Sequence, residues 1–396
     1  MDLPATAPAP VESASRRATG LPRHPQSTRG TAAVRGARLR ASSFVTGLLP
    51  TAYDSAWLAS LVTPGESRAP LYPLAMQWLL DVQHLDGSWG GSIRYEHDRI
   101  LSTLSALAAL GAAPHSPESR ESIASGTRYL WQRGHLLRSE PMELVGFELL
   151  LPSMAARAQR AGILVPPHLD IYGNERTEKL RLLPAAALYS GRSTIAHSLE
   201  FVGDAADLGG LARAQGANGS LGNSPAATAF LLTRIDDSRA RGYLDACSRQ
   251  TDGAAVPVLH PCETFELLWA AYHLRLAGVS AAQLLTEEER SMLWLELRQG
   301  GVSLSPSFGI PDADDTAVAV VLLHELGYDV DSSVLERFAL PERHFASFLH
   351  ERHGSVGVNV HVLHALTRVP GLPDRERAIR HVLQYLRDQL IDGSYW

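Results

Sequence analysis

The sequence predicts an all-α protein built from barrels of paired helices, and three observations lead there. Apolar residues recur at three- and four-residue spacing, as in CETFELLWAAYHLRLAG, where Phe265, Leu268, Trp269, Tyr272 and Leu276 share one face. Strand-like alternation is scarce, and no stretch reads as a βαβ unit. A turn also recurs: QHLDGSWG from Gln83, QGANGSLG from Gln215 and QLIDGSYW from Gln389 each follow a helical stretch. In each, Gly makes the turn, an Asp or Asn side chain can hydrogen-bond it, and an aromatic or apolar residue returns to the core. Such turns suit helix pairs that each bury a face on the next.

Taken in order, residues 1–41 carry seven arginines and two acids, with many Ala, Pro, Ser and Thr and no apolar periodicity. They are expected to form a disordered tail rather than an organellar leader. The arginines are a habit of the whole chain, in which Lys179 is the single lysine among 36 basic residues. From Ala41 onward almost every segment reads helical. Two overlapping helix starts, Ser280 with Gln283 and Thr286 with Glu289, have capping-box spacing. Near the end, PDADDTAVAVVLLHELG places Asp312, Asp314 and Asp315 directly before a run apolar on nearly all sides, hence a buried helix.

Composition narrows the function. A chain of 396 residues, 45% hydrophobic and 20% charged, can bury two cores. A net charge of −6 argues against nucleic acid as a partner. Cys247 and Cys262 show no metal or redox spacing, which fits a reduced, cytoplasmic setting. No stretch approaches the roughly 18 uninterrupted apolar residues of a membrane span.

The acid cluster is the chemical clue. Asp312 can cap the helix and the other two acids suit its first turn. Three carboxylates at the edge of a core cannot all stay ionised cheaply, however, so one is expected to hold a proton. A protonated carboxyl facing an apolar cavity is an acid strong enough to protonate an alkene.

PDADDTA resembles the D-x-D-D motif of class II diterpene cyclases, the copalyl-diphosphate-synthase-like members of the terpene cyclase/squalene-hopene cyclase superfamily. TAYDSAWLA (51–59), QHLDGSWGG (83–91) and HDRILSTLSALAAL (97–110) resemble the same family in order. GFELLLPSMA (146–155), AHSLEFVG (196–203) and SPAATAFLL (224–232) continue the match. The resemblance implies two α-barrel domains facing each other across a cavity: an inserted γ domain at 67–274, and a β domain formed by 42–66 and 275–396. Family chains run on past DGSYW, so the β barrel is expected to be incomplete at Trp396.

The resemblance also implies roles. Asp314 would donate the proton, with Asp312 and Asp315 tuning it. Lys179 would hold the diphosphate of geranylgeranyl diphosphate, and His197 would help remove the last proton. Glu140 and Glu143 stand where the family's acidic stretch assists Mg2+. The partner Asn of that His is Val258 here, in VPVLHP; His260, two residues on, is a candidate substitute but reads more readily as a surface or core histidine. Trp57, Trp269 and Phe308 are candidate aromatic lining for cations. The expected product is a bicyclic diphosphate, which a class I terpene synthase could consume.

Other readings are weighed against these. The histidines at 344, 350, 353, 361 and 364 lack a metal-ligand pattern and are expected on a solvated helix face. Asp236 and Asp237 lack the third acid of a diphosphate-ionising site. A hopene-type triterpene cyclase shares D-x-D-D and the turns but needs no diphosphate anchor. The third reading is a catalytically impaired fragment.

Overall fold

A computed structural model describes residues 47–63, 69–113, 116–140, 144–341, 344–349, 351, 354–391 and 393–394. The expected tail at 1–41, Glu143, His350, His353 and part of the third turn lie outside them. Among the described residues the only strand-like pairings are isolated bridges. The helices are α1 (Ala52–Ala59), α2 (Pro73–Asp81), α3 (Glu96–Ala112), α4 (Pro117–Arg133), α5 (Phe147–Arg160) and α6 (Gly173–Leu182). Then come α7 (Ala185–Leu188), α8 (Leu208–Ala214), α9 (Pro225–Leu232), α10 (Ser238–Cys247) and α11 (Glu263–Leu276). The chain closes with α12 (Ala281–Leu284), α13 (Glu287–Arg298), α14 (Ala313–Glu325), α15 (Val356–Arg368) and α16 (Arg375–Asp388).

Two hydrophobic cores form within one unit. The first runs from Ala52 to Val256 and the second from Leu267 to Leu386. Each is built round a helix buried on nearly all sides, α3 in the first and α14 in the second. The short helix α1 packs on α3 and α9 and so belongs to the first core. Its segment, 42–66, is expected from the family resemblance to join the later domain. AYDSAWLA is apolar on most faces, so its pattern says that it is buried without saying in which core.

The recurring turn has one geometry in both fully described copies. Gln83 Nε2 donates to Gly87 O at 2.8 Å, and Asp86 Oδ1 accepts from Ser88 N at 3.0 Å. Gln215 Nε2 donates likewise to Gly219 O at 2.9 Å, and Asn218 Oδ1 accepts from Ser220 N at 3.1 Å. Gly87 and Gly219 have φ of +91° and +89°, which favours glycine. The returning residues, Trp89 and Leu221, are fully buried and donate their N–H to Thr103 and Thr228. Val302 does the same with Thr316 at 2.9 Å, so QGGV (299–302) ends as a shortened form of this turn. That bond fixes the start of α14, where the acids are. Thr286 and Glu289 form the expected capping box, whereas Ser280 begins α12 without a side-chain cap bond.

Candidate active site

Asp312 is the N-cap of α14: its Oδ1 accepts from Asp315 N at 2.8 Å, a bond of about 1 kcal/mol to the helix. The same cap draws Asp312 and Asp315 into the protein, where they are 3% and 0% exposed. Burial pushes the Asp312 carboxyl up to about 7, and the charge of Asp314 adds to this while the Asp315 N–H opposes it. That rise is worth about 4 kcal/mol in favour of the neutral form. Asp315 is driven well above the carboxylate range by burial, then by the charges of Asp312 and Asp314. Among the described residues, no donor stands within hydrogen-bond geometry of either Asp315 oxygen or of Asp312 Oδ2. Two carboxyls so placed keep a proton between them at neutral pH.

Asp314 is situated differently. Its side chain is 23% exposed, and its Oδ1 lies 2.6 Å from Nδ1 of His361, on α15. The His361 ring stands edge-on to Trp269 at 4.5 Å and to Tyr272 at 5.4 Å. One turn on, His364 Nδ1 shares a hydrogen bond with the Tyr272 hydroxyl at 2.8 Å, and burial lowers its pKa. His361 and His364 therefore do not sit on a solvated face, as their spacing suggests. They pack against α11, with His361 held by an acid 47 residues away in sequence. His344 is likewise engaged, stacked on Tyr385 at 4.2 Å.

A cavity of about 710 Å³ opens between the two cores, within the usual range for small-ligand sites. Lys179, His197 and Val258 line it, with Phe265, Phe308 and Phe348. His197 lies in the 3-10 stretch Thr194–Ala205, and its Nδ1 is 3.0 Å from the Gly222 carbonyl oxygen. A carbonyl only accepts, so Nδ1 carries the hydrogen and Nε2 keeps its lone pair. Burial lowers the His197 pKa, with the Gly222 bond opposing, so the ring is neutral at pH 7. Lys179, on α6, is ion-paired with Glu148 of α5.

The acids stand one layer behind this wall, not on its lining. Ala313 N donates to Ser347 O at 2.9 Å, and Asp312 bridges Phe348, both Ser347 and Phe348 being wall residues. From Phe265 on the wall, Trp269 lies 5.5 Å away, and it touches His361 in turn. His260 is absent from the lining, in keeping with its reading as a surface or core histidine; its backbone is held by Asn223 O and the Tyr243 hydroxyl. Trp57 is also elsewhere, in the first core, with the Arg157 guanidinium stacked on it at 3.6 Å. Asp237 caps α10 and Asp236 pairs with Arg241, so neither reaches the cavity.

For Mg2+, Glu140 Oε1 accepts from Glu96 N at 3.2 Å, beside a Glu96 already engaged by Arg133 and Tyr129. Among the described residues no three His, Cys, Asp or Glu side chains cluster as a cation site. One carboxylate is not a ligand set for a hard cation.

No protein-family model matches the chain. It is 33% identical over 309 residues to ent-copalyl diphosphate synthase 2 of Oryza sativa subsp. indica, covering 74% of this chain and 37% of that protein. It superposes on abietadiene synthase from Abies grandis with a TM-score of 0.73 at 27% identity, covering 88% of this chain and 46% of that one. Against ent-copalyl diphosphate synthase from Arabidopsis thaliana, in complex with (S)-15-aza-14,15-dihydrogeranylgeranyl thiolodiphosphate, the TM-score is 0.72 at 28% identity, covering 89% and 52%. The chain spans about two fifths of the length of the curated relatives it matches. The fold is that of the terpene cyclase superfamily. Within it, the homologues and structural neighbours of this chain are class II diterpene cyclases.

Proposed function

We propose that this chain carries the site of a class II diterpene cyclase, converting geranylgeranyl diphosphate to a bicyclic diphosphate. The observation that carries the reading is one cavity lined by Lys179 and His197, with the buried Asp312 and Asp315 carboxyls directly behind its wall residues Ser347 and Phe348.

In this reading Lys179 exchanges Glu148 for the substrate's diphosphate and leaves the prenyl tail among Phe265, Phe308 and Phe348. Asp314 is the acid because its side chain is the exposed one of the three. In this mechanism the proton that the Asp312–Asp315 pair retains passes to Asp314, and with His361 Nδ1–H donating to Oδ1 it is carried on Oδ2. That hydrogen adds to the terminal alkene, which comes into contact with Asp314 beyond Phe348. Two ring closures move the cation to a bicyclic tertiary centre, facing aromatic rings that are not nucleophiles. His197 Nε2, directly or through water, accepts the departing proton. One proton enters and one leaves, so the reaction is an isomerisation and the diphosphate is retained. Val258, where relatives are expected to have a water-holding Asn, changes the surroundings of that base.

Mg2+ belongs to the proposal as a counter-ion of the diphosphate. A cytoplasmic location and a downstream class I synthase belong to it on the same footing. The described residues contain no helix long and apolar enough to cross a membrane. The test is incubation of the whole chain with geranylgeranyl diphosphate and Mg2+, enzymatic removal of the diphosphate, and gas chromatography–mass spectrometry. A bicyclic alcohol from the wild type, lost in Asp314→Asn, supports the reading. Its absence from a folded wild-type chain sinks it in favour of an impaired fragment.

A further inference from the structure

The acid and the proposed base come from different cores, and their relative placement has to be fixed by something. One fully buried side chain spans the gap. Asn223 lies in the second recurring turn, with φ of +53°, a left-handed conformation that Asn tolerates better than most residues. Its Nδ2 donates to Pro261 O at 3.0 Å and to Ser307 Oγ at 2.9 Å. The Pro261 carbonyl can only accept, which fixes the orientation of the amide. Its Oδ1 accepts from Asn218 Nδ2 at 2.9 Å and from Ser220 Oγ at 3.2 Å within its own turn, and is within 3.3 Å of Ser307 Oγ, which can donate to it.

Each end of this network reaches a group of the proposed mechanism. The preceding residue, Gly222, supplies the carbonyl that fixes the His197 tautomer. A Cβ at Gly222 would lie 2.5 Å from His197 N, so the turn is pressed against the histidine's own backbone. Asn223 O also accepts from His260 N at 2.9 Å, holding the segment that carries Val258 and Leu259 to the cavity wall. On the far side, Ser307 is at the tip of the 303–311 loop, which also gives the wall Leu304 and Phe308. The base of that loop is closed by the Ser303–Pro311 bridge and by Asp312 N donating to Val302 O at 3.0 Å. The loop therefore ends on the acid motif itself.

We propose that Asn223 is a positioning residue that sets the His197 side of the cavity against the 303–311 loop and so selects which proton leaves the bicyclic cation. This rests on the cyclase reading, with His197 as its base. A rigid linkage between the two cores matters because displacing a reacting group by about 1 Å alters a rate by up to about a hundredfold. Competing proton losses from one cation are separated by displacements of that size.

The experiment measures the isomer ratio of the dephosphorylated products made by the whole chain from geranylgeranyl diphosphate with Mg2+. Asn223→Asp keeps a side chain suited to the left-handed backbone and keeps the Oδ1 acceptor, while losing both Nδ2 donor bonds, to Pro261 O and to Ser307 Oγ, so that Ser307 can only donate to a carboxylate that also faces the Pro261 carbonyl. Ser307→Ala removes one of those bonds from the other partner and serves if Asn223→Asp does not fold. Both are expected to shift the ratio in the same direction, Asn223→Asp by roughly tenfold or more. A folded variant with slower turnover and an unchanged isomer ratio gives Asn223 a merely structural role and overturns the inference. No cyclised product from the wild type overturns the cyclase reading and this inference with it. Product from the wild type, with ratios unmoved in both variants, overturns this inference alone.

Discussion

Nδ1 of His361 stands 2.6 Å from Oδ1 of Asp314, joining α15 to the first turn of α14. A carboxyl that accepts on one oxygen is oriented to donate from the other, so the histidine aims the acid. Replacing His361 with Ala is expected to lower kcat by about a hundredfold with KM changed only a few-fold, the pattern of a contact that matters in the transition state. His361→Asn, which keeps a short N–H donor, should recover part of the loss. Steady-state kinetics on the two variants checks this, and a purely KM effect would contradict it.

The buried pair predicts a pH profile. Burial raises Asp312 to about 7 and holds Asp315 well above the usual carboxylate range, so the cluster keeps its proton at neutral pH and loses it as pH rises. Turnover should therefore fall on the alkaline side as the cluster ionises, and on the acid side only below the lowered pKa of His197, the proposed base. Asp312→Asn keeps the N-cap but removes a negative neighbour of Asp315, so Asp315 ionises more easily. The alkaline fall should move to lower pH in that variant, as a kcat profile would show.

Stability should follow a related rule in the first core. Asp54 is held at about 7 and Glu200 at about 8, each chiefly by burial. Both folded values exceed the unfolded ones, so their contribution is complete below about pH 4 and is lost as pH rises through 7 to 8. Each group supplies at most about 1.4 kcal/mol per pH unit. Melting temperature is expected to fall between pH 5 and 8, and Asp54→Asn with Glu200→Gln should flatten that slope. An equally steep slope in the double variant would contradict the assignment.

The Lys179–Glu148 pair predicts opposite effects for its two members. Lys179→Ala should raise KM for the diphosphate substrate by about 10- to 100-fold, with a smaller change in kcat. Glu148→Gln removes the carboxylate that the diphosphate has to displace, so KM should fall. Both are read from initial rates at fixed Mg2+. A raised KM in Glu148→Gln would show that the pair orients Lys179 rather than competing for it.

Much of this arrangement is legible in the sequence, because local chemistry writes it. Asp312 caps α14 because D-x-D-D precedes an apolar run, and the Gln–Asp/Asn–Gly–Ser turns close with the bonds that their residue types predict. Lys179 and His197 do fall on one cavity. What sequence conceals is direction and distance. His361 and His364 look like a polar helix face because their partners, Asp314 and Tyr272, are far away in the chain. The type and burial of Trp57 do not reveal that it faces Arg157 instead of the cavity. The role of Asn223 depends on Ser307, 84 residues on, and no local pattern announces that contact.

In the proposed mechanism a proton from the protein opens the reaction. The most direct test is to run the whole chain with geranylgeranyl diphosphate in D2O and count deuterium in the bicyclic product by mass spectrometry. The account predicts one deuterium per molecule, on the former terminal alkene, and no product from Asp314→Asn. A cyclised product without deuterium, or one formed undiminished by Asp314→Asn, would contradict it.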